Sequence, residues 1–229
     1  MSGSPGNTGY VGAGGNFDDT TDFNAMQFLI GQRLAQANVA TFVKVVSCTN
    51  AGGITPVGSV DVLPMVNQVD GAGNATPHGV VHGLPYVRIQ GGTNAVIIDP
   101  VAGDKGMVVF CDRDISSVKA NKETANPGSQ RRNDMADGVY IGGGLNAAPV
   151  QYIAFTPTSI TMVSPTQIIL QAPNILLDGD VSQTGTLAGA VVMEGPLTVT
   201  NDATISGRGF LGHEHVGVQS GASNTGTVV

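Results

Sequence analysis

Tryptophan is absent from this 229-residue sequence, charged residues make up only 12%, and the formal net charge is -7 at pH 7. A nucleic-acid binder needs cations that displace counterions from phosphates, so the acidic balance argues against nucleic acid as a partner. No apolar run approaches the ~20 residues of a membrane span. No basic segment followed by an apolar core marks a signal peptide, so we expect a soluble protein that the usual signal does not export.

The two cysteines, Cys48 and Cys111, lie in apolar stretches. A lone pair is not the disulfide framework of a small secreted domain, so we expect two buried free thiols. Glycine, by contrast, is abundant, with 33 residues, and hydrophobic residues make up 41% of the chain. This composition predicts a packed core, many turns and few long helices, and hence an all-β protein.

Residues 1–38 predict a flexible N-terminus followed by an amphipathic helix. Residues 1–16 are rich in glycine and serine, which favours mobility. Aspartates then crowd the start of the helix, where the helix dipole favours negative charge, and apolar residues recur at i, i+3 and i+4. The pattern fits a helix packed on its own domain as well as one docked on a partner. The aspartates are Asp18, Asp19 and Asp22, and the apolar stripe is Phe23, Met26, Ile30 and Leu34.

Residues 39–115 predict a small barrel of the OB type. Five segments rich in Val, Ile, Phe and Tyr alternate with good turn formers such as NAGG and DGAGN. Five strands in about 75 residues is the size of a small closed barrel, and the OB type is the best match. The five segments are VATFVKVVSCT, GSVDVLPMV, VVHGLPYVRIQ, NAVIIDP and GDKGMVVFCD.

Residues 116–150 form the most polar stretch and predict a connector with loops. The adjacent arginines of this stretch, Arg131 and Arg132, could pair with Asp134 or Asp137. Ion pairs exposed to solvent add little to stability, so we expect no structural role for them.

Residues 151–206 contain an eight-residue repeat, in which each unit cannot bury its apolar side alone. Eight residues are too few for one coil of a single-chain β-helix, which needs about 20 or more. Three chains could each supply one side of a triangular prism, so the repeat predicts an intertwined trimeric β-helix. Residues 187–196 interrupt the rhythm. The repeat reads TSITMVSP, TQIILQAP and NILLDGDV, with Ile160, Ile168 and Leu176 in one column.

Residues 207–229 contain two of the four histidines, His213 and His215, one residue apart. Residues two apart in a strand point to the same face, so three chains would bring six imidazoles to one axis. Six nitrogen ligands suit an octahedral transition metal better than zinc, which is usually tetrahedral. Iron(II) is the first choice, and the geometry also allows nickel or cobalt. Gly212 and Gly217 would let the three backbones approach closely.

No pattern of catalytic residues stands out, so we expect no enzyme. His78 and His82 flank GVV before the third predicted strand and fit a barrel loop better than a ligand pair. Asp178 and Asp180 fit a charged rung at a turn or prism edge better than a carboxylate pair for glycoside hydrolysis. A nucleophile motif such as G-x-S-x-G does not occur.

The barrel pattern, the repeat and the terminal motif together resemble the central spike proteins of contractile-tailed bacteriophages. Within that group the chain is similar to cell-puncturing spikes that carry no lysozyme domain. The matching segments are GLPYVRIQGGTNAVIIDPVAGDKGMVVFCDRDI, with GD-x-G before a hydrophobic strand, and GHEHVGV near the end.

This resemblance implies a homotrimer in the virion, at the tip of the tail baseplate, assembled in the host cytoplasm. The OB domains would attach to the tail hub or baseplate proteins, and the prism would taper to an apex. There His213 and His215 of each chain would bind one iron ion (Fe2+) per trimer. Tail contraction drives such spikes through the host outer membrane.

Two other functions fit the same features. A receptor-binding tail-fibre or adhesin fragment is also trimeric and β-rich, and it would bind a surface glycan. A β-helical polysaccharide-degrading enzyme would need a groove with several carboxylates, whereas the chain after residue 141 has five acidic residues in all.

Overall fold

The structure, a computed structural model, describes residues 21–70, 72–182, 192–205 and 208–211. The chain divides into two compact units, Met1–Ile168 and Ile169–Val229. The first unit contains helix α1 and strands β1 to β11. Their bounds are α1 Asp22–Ala35, β1 Ala40–Cys48, β2 Ser59–Pro64, β3 Gln68–Val69, β4 Ala75–Thr76, β5 Val81–Pro85, β6 Ile89–Gly91, β7 Asn94–Val96, β8 Lys105–Phe110, α2 Ser116–Asn121, a 3-10 turn Met135–Asp137, β9 Gly138–Gly142, β10 Tyr152–Phe155 and β11 Ile160–Val163.

Helix α1 is the predicted amphipathic helix. The Oγ1 atom of Thr21 caps its start by accepting a hydrogen bond from the backbone N–H of Asn24 at 3.2 Å. The four residues of the apolar stripe are 47–69% exposed, whereas half-buried residues lie on the opposite face, about 180° around the helix. The stripe is therefore not packed on the chain's own domain. The half-buried residues are Asn24, Ala25, Phe28 and Gln32.

Five strands form one antiparallel sheet in the order β5-β2-β1-β8-β9. The sheet curls until its two edges approach, and a parallel bridge joins Tyr86, just after β5, to Tyr140 in β9. The N–H of Val87 donates a hydrogen bond of 2.9 Å to the carbonyl of Tyr140 at this point. The result is a curled half-barrel, which agrees with the all-β prediction.

The core of the half-barrel follows from alternation along the strands. Side chains of a strand point alternately to its two faces, so every second residue faces inward. In β2 and β8 buried residues alternate with more exposed ones. The inward set consists of Val43, Val45, Val60, Val62, Leu84, Tyr86, Val108, Phe110 and Tyr140.

Each of the five predicted segments contains a strand, but only four of them contribute to the five-stranded sheet. Residues 94–96 of the predicted segment NAVIIDP pair with β6 in a separate two-stranded hairpin. The fifth strand of the sheet is β9, which lies within the range 116–150 that the sequence assigns to a connector. Two of the five residues of β9 are glycine, so the sequence shows no alternation of apolar and polar side chains that would predict this strand.

The thiol prediction needs one correction. Both cysteines are free, as expected, but each is half-buried rather than buried. Cys48 is the last residue of β1 and Cys111 follows β8, so both lie where the sheet ends and packing is less complete.

Beyond the sheet, β10 and β11 form an antiparallel hairpin in which Tyr152 pairs with Val163 and Phe155 with Ile160. Residues 164–182 contain no helix or strand. In the second unit, β12 (Thr204–Ile205) pairs with β13 (Arg208–Gly209). No helix among the described residues is long and apolar enough to cross a membrane.

Candidate functional site

The predicted metal ligands His213 and His215 lie outside the described residues, as do residues 187–191 of the predicted interruption. Within the described ranges, no three or more histidine, cysteine, aspartate or glutamate residues are grouped as a metal would require. His213 and His215 lie beyond those ranges, so their role stays a prediction.

The other two histidines lie in the first unit. The Nδ1 atom of His82 is 3.1 Å from the Oδ2 atom of Asp61 in β2, and the imidazole is exposed. Asp61 also accepts hydrogen bonds from Ser47 and from the backbone of Gly83. The Asp61 carboxylate thus links β1, β2 and β5, and His82 makes one of its contacts. His78 lines a separate cavity near the start of β1.

The exposed apolar side chains of the repeat are the feature that bears most directly on function. Between residues 164 and 182 nearly every residue is exposed, including apolar ones, and Leu176 is 90% exposed. Monomeric soluble proteins rarely expose long contiguous apolar surfaces, and larger ones mark interaction sites. The exposed apolar residues of this segment are Ile168, Ile169, Leu170, Ile175, Leu176, Leu177 and Val181.

A group of charges around two buried carboxylates, the Arg131 cluster, fixes the polar stretch before β9. The Arg131 guanidinium donates to Asp137 at 2.6 and 2.9 Å and to Asp114 at 2.9 Å. Ser129 donates to the second oxygen of Asp114 at 2.7 Å. The backbone N–H of Ile115 donates to Asp137. The predicted pairing of Arg131 with Asp137 is confirmed, but the expectation of an exposed pair is wrong for the carboxylate, because the side chain of Asp137 is 0% exposed and that of Arg131 is 36% exposed.

The protonation of this cluster has a clear direction. Hydrogen bonds from Ser116 and Ser129, helped by the Arg131 charge, lower the pKa of Asp114 to about 2. The hydrogen bonds from Arg131 lower the pKa of Asp137. A carboxylate whose pKa is lower in the folded state stabilises the fold above its unfolded pKa, and this contribution disappears as the pH falls through the folded value. The cluster therefore stabilises the half-barrel above about pH 4 and loses this effect towards pH 2.

We expect the change Arg131→Gln to raise the midpoint pH of acid unfolding and to lower stability at neutral pH. The reason is that two buried carboxylates lose their cation while remaining in the interior. Circular dichroism during an acid titration measures the midpoint. The neighbouring change Arg132→Gln, at an exposed residue, is the matched control and should leave the midpoint unchanged. Equal midpoints for both variants would contradict the assigned role.

A second buried group, the Arg88 cluster, fastens the loops at one end of the half-barrel. The Arg88 guanidinium donates to Asp99 at 2.6 Å and to the carbonyl of Thr55 at 2.7 Å. The Tyr86 hydroxyl donates to Asp99 at 2.6 Å and accepts from Asn50 at 3.0 Å. Hydrogen bonds from Tyr86 and Arg88 lower the pKa of Asp99. The side chains of Arg88 and Asp99 are each 2% exposed, which places them inside the fold rather than in an open active site.

Sequence reasoning named the pair of Arg131 with Asp137 but missed Asp114 and the whole Arg88 cluster, because these members are far apart in the chain. Asp114 and Arg131 are separated by 17 residues, and Tyr86 and Asn50 by 36. The one available signal was the unusual pair of arginines beside two aspartates in an otherwise charge-poor sequence.

A known protein family matches the half-barrel. Residues 44–143 match the family described as the phage protein Gp138 N-terminal domain. The matched range begins within β1 and ends just after β9, so it spans the five-stranded sheet but less than half of the chain. No curated protein matches the chain. The match supports a bacteriophage structural protein, a component of the virion that is related to the phage tail or baseplate.

Proposed function

We propose that the protein is the central spike of a phage tail baseplate, a homotrimer that pierces the host outer membrane during tail contraction. The half-barrel, an OB-type domain in this proposal, attaches to the tail hub. The repeat forms an intertwined prism, and the apex carries iron. The order β5-β2-β1-β8-β9, closed by a parallel bridge, supports an OB-type barrel. The match to a phage protein domain supports a location in the virion.

The observation that carries the proposal is the exposed apolar repeat beyond the hairpin of β10 and β11. Burial of apolar surface stabilises by about 25 cal/mol per Å². A column of apolar side chains with period eight gives every copy the same face, so identical chains can bury it against one another around a three-fold axis. A different partner would have to match that repeat.

The work of such a spike is mechanical, and the proposal includes no catalysis. Three chains that exchange backbone hydrogen bonds cannot separate singly under load. The buried clusters of Arg88 and Arg131 keep the loops of the half-barrel fixed where force would enter from the hub. The prism then transmits that force to the apex.

The apex needs reinforcement, because apolar core area falls as the strands end. Two imidazoles from each of three chains make a donor set of six nitrogens, which suits an octahedral ion such as iron(II). Bound there, the ion would cross-link the three ends. His213 and His215 would hold it in their neutral form, so binding should weaken in acid.

We expect the double change His213→Ala and His215→Ala to remove the bound metal and to leave the trimer intact. Elemental analysis and native mass on the same sample measure both quantities. The double change His78→Ala and His82→Ala is the control, because it removes the same number of imidazoles from the half-barrel. Full metal content in the apex variant would show that the ion lies elsewhere.

A receptor-binding fibre would give a different result. It would bind a purified host surface glycan with saturation, whereas a spike should not. Saturable glycan binding by the purified protein would therefore favour the adhesive function over the piercing one.

A further inference from the structure

We infer that helix α1 of each protomer docks in a groove on the half-barrel of a neighbouring copy, an inference that rests on the proposed trimer. The inference starts from two apolar surfaces that the same chain leaves uncovered. One is the outward apolar stripe of α1. The other is a groove of about 520 Å³ between the half-barrel and α2.

The groove is mainly apolar, with two positive charges. Strand residues and α2 contribute its walls, and its volume falls in the range of about 300–1,000 Å³ that is usual for binding pockets. Among the described lining residues, the charged ones are Lys119 and Lys122. The Lys119 ammonium donates to the carbonyl of Ala136 at 3.1 Å, which holds it beside the groove. The apolar walls come from Val57, Pro85, Cys111, Ile115, Val118 and Val139.

The stripe of α1 has the chemistry that this groove requires. An amphipathic helix enters an apolar groove through side chains at i, i+3 and i+7, which is the spacing of Phe23, Met26 and Ile30. Asp22 stands in the first turn beside this stripe, and Asp18 and Asp19 precede it in the sequence. Acidic residues at the helix start complement the two lysines of the groove. Glu123 next to Lys122 offsets part of that positive charge.

The helix of the same chain does not fill the groove, since none of its residues lines it. Its C-terminal end is also tied near β1. The side chain of Asn38, two residues before β1, donates to the carbonyl of Asn133 at 2.8 Å. A second copy is therefore the occupant, and docking from one copy to the next can close into a ring of three.

A disulfide trap with two kinds of chain tests the docking. One chain carries Cys48→Ser, Cys111→Ser and Ile30→Cys, so its only thiol lies on the stripe. The other carries Cys48→Ser alone, so its only thiol is Cys111 in the groove. The two chains, with different tags, are co-expressed and mildly oxidised, and any disulfide between unlike chains is identified by mass. Such a bond needs the two Cα atoms within about 7 Å.

We expect the stripe thiol to form the mixed disulfide roughly tenfold faster than a control thiol, because docking raises its effective concentration at the groove. The control is Ala35→Cys, an exposed residue about 140° around α1 from Ile30. Lys122→Glu in the groove chain should slow the reaction about two- to fivefold, and Asp22→Lys in the stripe chain should restore it.

Several outcomes would overturn the inference. Equal rates for the stripe and control thiols, or no mixed disulfide, would show that α1 does not reach the groove. A disulfide between two stripe thiols would show that the helices pair with each other. Native mass of the same sample separates this failure from that of the proposed function. A trimer without the selective bond overturns only the docking, whereas a monomer overturns both.

Discussion

The double change Ile168→Asp and Leu176→Asp should convert the proposed trimer, of three times 23.2 kDa, into a monomer. Both residues belong to the apolar column of the repeat, and both are exposed in the single chain, Leu176 at 90%. In the proposed prism they face the shared axis. Native mass spectrometry or light scattering measures the change.

The size of this effect follows from the symmetry. Two substitutions in each chain place six carboxylates around one axis, and a buried ion without a partner costs several kcal/mol. In a single chain the same side chains are in water, where aspartate costs nothing to expose. The substitutions therefore disfavour the assembly and leave the half-barrel, whose core lies in residues 43–140, unaffected.

A matched control adds the same charge to the same segment. Gln167→Asp with Gln171→Asp changes two exposed polar residues of the repeat, and this variant should remain trimeric. A trimer that survives the substitutions at Ile168 and Leu176 would refute the apolar column as the interface. A monomeric native protein would refute the prism itself.

The half-barrel could be predicted where the sequence alternates. In β1 the pattern places Val43 and Val45 on the buried face, and in β2 it does the same for Val60 and Val62. Alternation with turn signals between segments is a local property, so the sequence alone contains it. The helix over Asp22–Ala35 was predictable for the same reason.

The parts that could not be predicted depend on contacts between distant residues. Strand β9 has little pattern of its own and is held because Tyr140 fills the core beside β8. The Arg131 cluster forms only after β8 and the polar stretch come together. The proposed prism would be harder still to predict, because its interface would involve other chains. A repeat can indicate that other chains are needed, but it does not give the geometry of their contacts.

The change Gly106→Ala should destabilise the half-barrel by about 1–3 kcal/mol, the usual cost of overpacking a filled core. Gly106 is buried in β8, where it pairs with Val43 of β1 and with Gly142 of β9. A Cβ atom there would lie 2.5 Å from the carbonyl oxygen of Ile141 and 2.7 Å from the Tyr140 ring. A backbone carbonyl in a sheet cannot move aside cheaply, so the strand pair that places Tyr140 must shift.

Gly142 provides the control for this change, because it stands directly opposite Gly106 in the same strand pair. A Cβ atom at Gly142 would meet the Tyr140 ring at 3.4 Å, an ordinary contact. Gly142→Ala should therefore be nearly neutral, whereas Gly106→Ala should lower the denaturant midpoint clearly, as urea unfolding followed by circular dichroism will measure. If both variants unfold at the same urea concentration as the native protein, the sheet has room for a Cβ atom beside Tyr140. The close approach of β8 to β9 would then not be what holds the Tyr140 side chain in the core.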